Sequence, residues 1–487
     1  MKSKFLPFLL SFILITVVSK GQNYLGVATT NYSRINSMYL NPANITNGVE
    51  RFTFSLFSIG IDVDNNLGTF SKISDLGKSL NSKDSGSNSQ SVFTNSGRAN
   101  FSMMIPEVNI HGPAVIISIN RKNSVAITTG LRVINQFNNF DQTLYNTIIN
   151  TSTAVNGNLN YTTHNFNWTA HMWNEIGLSY AGVFIDNDRS LLKAGFTVRR
   201  LGGVGYLSLK GNSLDLHYQS GSDSFFANNS DLEFASNVVN DRSAVFNGVN
   251  TGNLLGRFFG ATDGIGVGGD IGVVYRYRIG KLEDANDKES GKSHDIVISA
   301  AVKDMGSINY SKNVNANISV TGNGFLTGKG LSKNVNDATS FKNYLQQQGF
   351  SADTSSVDTK LHMPTTLILS ADYEIHKRIF VNATFISNLA NRQDFGNSYY
   401  NRLAVTPRYD TRLISFAIPI SYSWLAKDIK MGFGFRFSGF FIGSDDMLAL
   451  FSAHQYGFGF YMGGYVPIKF KRQKRLEEHD HWERFVQ

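Results

Sequence analysis

Residues 456–470 read Tyr-Gly-Phe-Gly-Phe-Tyr-Met-Gly-Gly-Tyr-Val-Pro-Ile-Lys-Phe, the last long apolar segment of the chain. Tyr456, Phe458, Phe460, Met462, Val466, Ile468 and Phe470 share one parity, while Gly457, Gly459, Tyr461, Gly463 and Lys469 share the other. Successive side chains of a strand point to opposite sides, so this segment has one greasy, aromatic face and one small or polar face. A strand lying between lipid and a polar lumen needs that division. About eleven residues rise ~36 Å, which a ~45° tilt projects to ~25 Å, the apolar height of an outer-membrane barrel.

The same pattern recurs upstream. In residues 51–63, Phe52, Phe54 and Leu56 hand over to Phe57, Ile59, Ile61 and Val63, and the change of parity predicts a bulge near Leu56 and Phe57. Comparable runs cover 108–119, 125–133, 176–184, 192–198, 267–277, 296–302, 367–375, 379–385, 403–424 and 433–437. With 403–424 taken as one strand, the count is about 12. A small hairpin around Gly211 and Asn212 raises it to about 14. Residues 135–173 read as an exposed loop, and 305–363 as the longest connection, with a helix near 340–348. Short charged turns follow Ile119, Ile185, Ile279, Ile375 and Ala426, while long loops surround Gly86, Tyr145, Ser230, Gly330, Asn397 and Met447. That asymmetry predicts short periplasmic turns, long external loops and both termini in the periplasm. A soluble β-sandwich would also alternate, but it would not need such long strands with aromatic faces. The expected fold is all-β, a transmembrane antiparallel barrel spanning 51–470.

Composition agrees. Met1-Lys2-Ser3-Lys4 precedes an apolar run over 5–18 and the small residues Ser19 and Gly21, which reads as a secretory signal over 1–21. After Gln22 no run of 18 apolar residues appears, which argues against spanning helices. The chain has no cysteine, so disulfides, thiolate metal sites and a lipoprotein anchor are excluded. A mean hydropathy of −0.17 is no obstacle, because barrels hide apolar residues in alternation. The formal charge of +8 is spread out, its densest run being the tail that opens at Lys471; no nucleic-acid module is visible. Residues 471–487 read as a charged periplasmic tail.

The export signal, Leu40-Asn41-Pro42-Ala43 before the first strand, Asp304-Met305-Gly306, Met363-Pro364 and Gly443-Ser444-Asp445-Asp446 together resemble the FadL-like outer-membrane proteins of Bacteroidota. The chain is also similar to barrel components associated with type IX secretion and gliding. The resemblance implies a 14-stranded barrel whose N-terminal segment, here 22–50, folds into the lumen as a plug, and it implies passage of hydrophobic molecules in some members. It would place Met38, Tyr39, Leu40, Asn41 and Pro42 in that plug, beside any ligand path. The run ending at Phe470 resembles the terminal assembly signal of such barrels, and it would close the barrel against residues 51–63.

The inward parity carries glycines, among them Gly195, Gly272 and Gly434, and glycine weakens a strand unless something approaches closely. Backbone filling the lumen would explain them. The same parity carries Arg132, Lys193, Arg199, Asp270, Arg276, Asp372, Glu374 and Arg436, a set able to pair internally and with a plug. An occluded barrel is expected. Gly264, Gly266 and Gly269 spell G-x-G-x-x-G, but they open a strand where a dinucleotide site needs a helix. Glu477, Glu478, His479, Asp480 and His481 carry metal-ligand side chains with nothing nearby to orient them. No serine sits in a nucleophile elbow. Neither enzyme nor cofactor is expected. The leading expectation is a monomeric outer-membrane barrel for passive uptake of a hydrophobic small molecule, in contact with outer-membrane lipids. The alternative is a non-transporting barrel that docks envelope protein partners of secretion or motility machinery.

Overall fold

The computed structural model describes residues 24–47, 50–70, 93–95, 99–142, 159–219, 224–237, 262–279, 294–313, 315–327, 338–355, 357–376, 378–448 and 456–469. The expected signal, the tail, Phe470 and the acidic-histidine cluster lie outside them. No helix among the described residues is long and apolar enough to cross a membrane.

Fourteen antiparallel strands close into a ring. They are β1 (Glu50–Asn65), β2 (Asn100–His111 continued by Ala114–Ser118), β3 (Asn123–Asp141), β4 (Leu159–Asp186), β5 (Ser190–Gln219), β6 (Gly264–Ile279) and β7 (His294–Tyr310). Then follow β8 (Thr359–His362 continued by Thr366–His376), β9 (Ile379–Asn388), β10 (Arg402–Asp410), β11 (Ile414–Ala417 and Ile420–Ser423), β12 (Asp428–Met431 and Phe433–Phe437), β13 (Phe440–Ser444) and β14 (Gly457–Lys469). Each pairs with the next, and β14 returns to β1 through Phe54↔Val466, Ile61↔Phe460 and Val63↔Phe458. The register slips between Ser55 and Phe57, where the parity change required a bulge.

The predicted faces hold. Leu178 is 60% exposed and Val267 67%, with Phe196, Ile271, Leu369, Val405, Phe416 and Ile468 also turned outward. Beyond Ile176, β4 exposes no large apolar side chain toward its start, so its lipid-type face is about ten residues long, one bilayer crossing.

The count of 14 is reached by a different route from the one expected. Gly211 and Asn212 lie inside the 30-residue β5, not in a hairpin. Residues 403–424 are two strands, turned at residues 411–413 by a Thr411 side chain that bonds Ile414, and Ser438-Gly439 forms a further tight turn into β13. The turn at 424–427 therefore sits at the long-loop end of the ring, not with the short turns after β2, β4 and β8. Glu50 pairs with Lys469, so the outermost strands meet at the short-turn end.

The described parts of the expected loop over 135–173 are almost entirely strand. β3 and β4 stay paired out to Asn138↔Asn167, and β4 and β5 continue to Leu159↔Tyr218. A 28-residue strand is ~92 Å long, far more than a bilayer requires. With Ser224–Ser236, Ala316–Thr327 and Ser351–Ser355 these strands form a wall above the long-loop rim, and Ser230 belongs to it, not to a loop. The helix Ala338–Gln347 covers the wall, and Phe166, Phe140, Ile318, Leu345 and Phe350 make a core of its own. Alternation fails there because that face meets protein instead of lipid.

Candidate functional site

The lumen is filled from its short-turn end by residues 24–47, which contain α1 (Leu25–Ala28), α2 (Arg34–Ser37) and a 3-10 turn (Pro42–Ile45). Pro42 starts the 3-10 turn with its φ already set, and the Asn41 side chain accepts from the Ala43 N–H at 3.0 Å. The Asn41 amide also donates to the carbonyls of Val273 (3.0 Å) and Ala300 (3.1 Å), tying the turn to β6 and β7. Gly272 faces Asn41 and Pro42 with no room for a Cβ, a Cβ on Gly195 would lie 2.8 Å from the Ala43 nitrogen, and one on Gly434 would lie 2.6 Å from the Gly26 Cα. Gly195 and Gly434 are thus seats for insert backbone, and Gly272 is a seat for the Asn41 and Pro42 side chains.

Arg34, 2% exposed, anchors the insert. It donates to the carbonyls of Ile45 and Glu50 and to the hydroxyls of Ser118 (2.7 Å) and Ser124 (3.0 Å). Burial pulls its guanidinium down to about 10, with Glu50 opposing the shift. The Leu25 N–H donates to Asp445 (3.1 Å), the Asn31 N–H to Asp410 (2.7 Å), Lys193 to the Thr46 carbonyl (3.1 Å) and Lys303 to the Tyr39 carbonyl. Met38 and Leu40 pack in a core that the insert shares with the barrel wall, and Tyr39 stacks on His111 of β2 with ring centroids 3.8 Å apart.

Above the insert lies a layer of ion pairs. Arg132 meets Asp304 at 2.9 Å, Arg199 meets Asp270 at 2.7 Å, and Glu175 lies 4.0 Å from Arg132 and 3.9 Å from Arg199. The other expected charges do not join this cluster. Asp372 pairs with Arg408 (2.8 Å), Arg436 lies 3.6 Å from Asp410, and Arg276 lies 3.9 Å from Asp295. Glu374 keeps the inward parity as a half-buried residue of β8. A further group joins Lys430 to Asp64 (3.1 Å) and Asp446 (3.3 Å). Of the residues the sequence reading did not single out, Glu175, Arg408 and Asp410 hold the inward parity of their strands, so parity alone could have found them, whereas Asp304 sits where alternation is interrupted. Its φ of 53° and the 124° of Gly306 make a bulge, with the Asp304 N–H donating to Asp270 at 2.8 Å. The Gly306 carbonyl then accepts from the Met363 N–H at 3.0 Å. The short motifs carrying the resemblance are thus points where the wall meets the lumen contents.

The expected external loop around Asn397 turns inward. Gln136 of β3 exchanges two bonds with the Ser398 backbone (2.6 and 2.8 Å), Asn397 donates to the Thr169 carbonyl (3.2 Å) and Tyr400 to Asn138 (2.9 Å). The Tyr399 hydroxyl accepts from Arg132 (2.6 Å) and donates to Glu107 (2.5 Å). Polar sequence gave this loop the look of an external one; its Phe395, Tyr399 and Tyr400 are the one signal that it packs. They lie on an apolar cluster containing Trp173, Tyr206, Ile308, Tyr310 and Met363. A cavity of about 30 Å³ between Asp62, Asp64, Glu107, Tyr399 and Arg402 has room for water but not for an organic ligand.

No curated protein matches the chain. Among solved structures, the toluene transporter TbuX of Ralstonia pickettii is 10% identical, with 89% of this chain and 93% of that one covered at a TM-score of 0.38. The toluene transporter TodX of Pseudomonas putida is 10% identical over 92% and 98%, also at 0.38. A TodX mutant described as a monoaromatic hydrocarbon channel is 9% identical over 93% and 100%, at 0.43. Likeness at that distance leaves the ligand open, and the barrel rests on its own register. The model of a family of unknown function, DUF5723, matches residues 42–445, from Pro42 of the lumenal insert to Asp445 that holds Leu25, and the chain belongs to that family.

Proposed function

We propose that this barrel sits in an outer membrane, with its short-turn end and both termini toward the periplasm, and serves the passive uptake of a small hydrophobic molecule. The observation that carries the reading is the aromatic cluster of Trp173, Tyr206 and Tyr310 inside the long-loop half of the lumen. Barrel interiors are ordinarily polar, and a buried apolar site below an external mouth suits capture of an apolar solute. Residues 22–50 act as the plug, and loop 391–401 stands in the way until cargo displaces it.

The test is uptake of a radiolabelled apolar probe by cells with and without the protein. A higher initial rate with the protein, and a higher one still with Tyr399→Phe, supports uptake; equal rates in all three strains overturn it.

The wall beyond the rim favours a second reading, a barrel that docks other envelope proteins of secretion or motility machinery, since a separately cored sheet exceeds what a pore mouth needs. Stoichiometric co-purification of such partners, with no probe uptake, would establish that reading in place of the first.

A further inference from the structure

Trp173 is 0% exposed, and its indole N–H has no hydrogen-bond partner among the described residues. Three polar neighbours are bonded elsewhere. The Tyr310 hydroxyl lies 3.1 Å from His171 Nε2, Tyr206 donates to Asn315, and Arg132 spends its guanidinium on Asp304, Asn109 and Tyr399 while lying 5.0 Å from the Trp173 ring centroid. A buried donor left unmade costs about 1 to 3 kcal/mol, and such groups are rare enough in native proteins to need a reason. If packing alone were wanted, phenylalanine would fill a similar place without that penalty.

The surroundings supply a reason. Ile308, Leu361 and Met363 are each at most 1% exposed and offer no polar side-chain atom beyond a thioether, so the indole is flanked by an apolar wall and by polar groups, His171, Tyr310 and Arg132, that are bonded to one another or elsewhere. What covers the cluster is the tip of the inward loop, with Phe395, Tyr399 and Tyr400 packed on it. That tip is held by side-chain hydrogen bonds and one isolated bridge between His362 and Gly396, not by a strand ladder. Asn397 at the same tip has a buried side-chain oxygen that is likewise without a partner. Such a segment can leave more readily than a paired strand can.

The geometry points to a binding site for a small, mostly apolar molecule bearing one hydrogen-bond acceptor, seated against Trp173, Tyr310 and Met363 in the place of the loop tip, with the acceptor on Trp173 Nε1. A ketone, ester or nitro group on an apolar frame meets the requirement; a pure hydrocarbon leaves the donor as it stands. This inference rests on the uptake reading and gives it a cargo class.

Acetophenone and ethylbenzene are close in shape and differ by a carbonyl, so they are suitable probes. Full-length protein in detergent, both unaltered and with the loop loosened by Tyr399→Phe and Gln136→Ala, is titrated with each. The Trp173 indole N–H resonance, identified by its loss in Trp173→Phe, reports the contact. Acetophenone should shift that resonance and bind about five- to tenfold more tightly than ethylbenzene to the loosened protein, the equivalent of one net hydrogen bond. Trp173→Phe should abolish the preference between the two probes. If both probes bind and the resonance does not move, or the preference survives Trp173→Phe, the site is refuted and the uptake reading stands. If neither probe binds the loosened protein up to its solubility, both are refuted. Should Trp173→Phe fail to fold, the four tryptophan resonances of the unaltered protein still decide, because only one can respond to acetophenone alone.

Discussion

The N-terminal insert and the inward loop fill two ends of one lumen, and their anchors differ in kind. The insert places its own backbone against glycines of β5 and β12 and its Asn41 and Pro42 side chains against Gly272 of β6, and it donates hydrogen bonds to carbonyls of β4, β6 and β7. The loop reaches mainly toward β2, β3 and β4 and is held chiefly by amide and hydroxyl side chains. Backbone seated on backbone cannot shift without moving a strand, whereas a side-chain hydrogen bond can exchange with water. The first arrangement belongs to the fold and the second is a closure.

The comparison can be broken at several points. The largest effect is expected for Arg34→Met, which removes four donations and a buried cation beside Glu50. It should lower barrel stability by about 3 to 5 kcal/mol, read as a drop in the temperature at which the folded band converts on heated gels. Gly434→Val drives a branched side chain into the Gly26 backbone and should cost about 3 kcal/mol by the same measure. Tyr399→Phe strips a hydroxyl from between Arg132 and Glu107, worth about 2 kcal/mol, but that loss should appear as faster hydrogen exchange in loop 391–401 with the gel transition nearly unmoved. Gln136→Leu, worth about 1 kcal/mol, should speed exchange at Ser398 alone. If Tyr399→Phe lowered the gel transition as far as Arg34→Met does, the distinction between fold and closure would fail.

Most of the membrane-facing architecture was legible in the sequence, because period-two alternation against lipid is a local property. The bulge at Ser55 to Phe57 needed nothing else, and the pairing of β14 with β1 came with the resemblance of the last strand to a terminal assembly signal. Legibility ended where lipid did. The outer part of β4 carries Asn160, Thr162, His164 and Asn167 because its surroundings are water and protein, so a strand looked like a loop. The turn after Asp410 was missed because it uses a threonine hydroxyl and no glycine. Within the lumen, parity identified Arg132, Arg199 and Asp270 as inward, but their joining through Glu175 and Asp304 depends on strands distant in sequence. No periodicity encodes that neighbourhood. The inward course of Tyr399 was hidden for the same reason.

The contact between Leu25 and Asp445 spans 420 positions of sequence. Loop closure over so long an interval comes late in folding, after nearer contacts have paid its entropy. The segment synthesised early must therefore wait, unseated, until β13 and β14 have arrived, since Asp445 and Tyr461 are part of its berth. Defects at Gly26 or Asp445 should then show first as a lengthened final phase of assembly, with an otherwise complete ring of strands accumulating before its interior is filled.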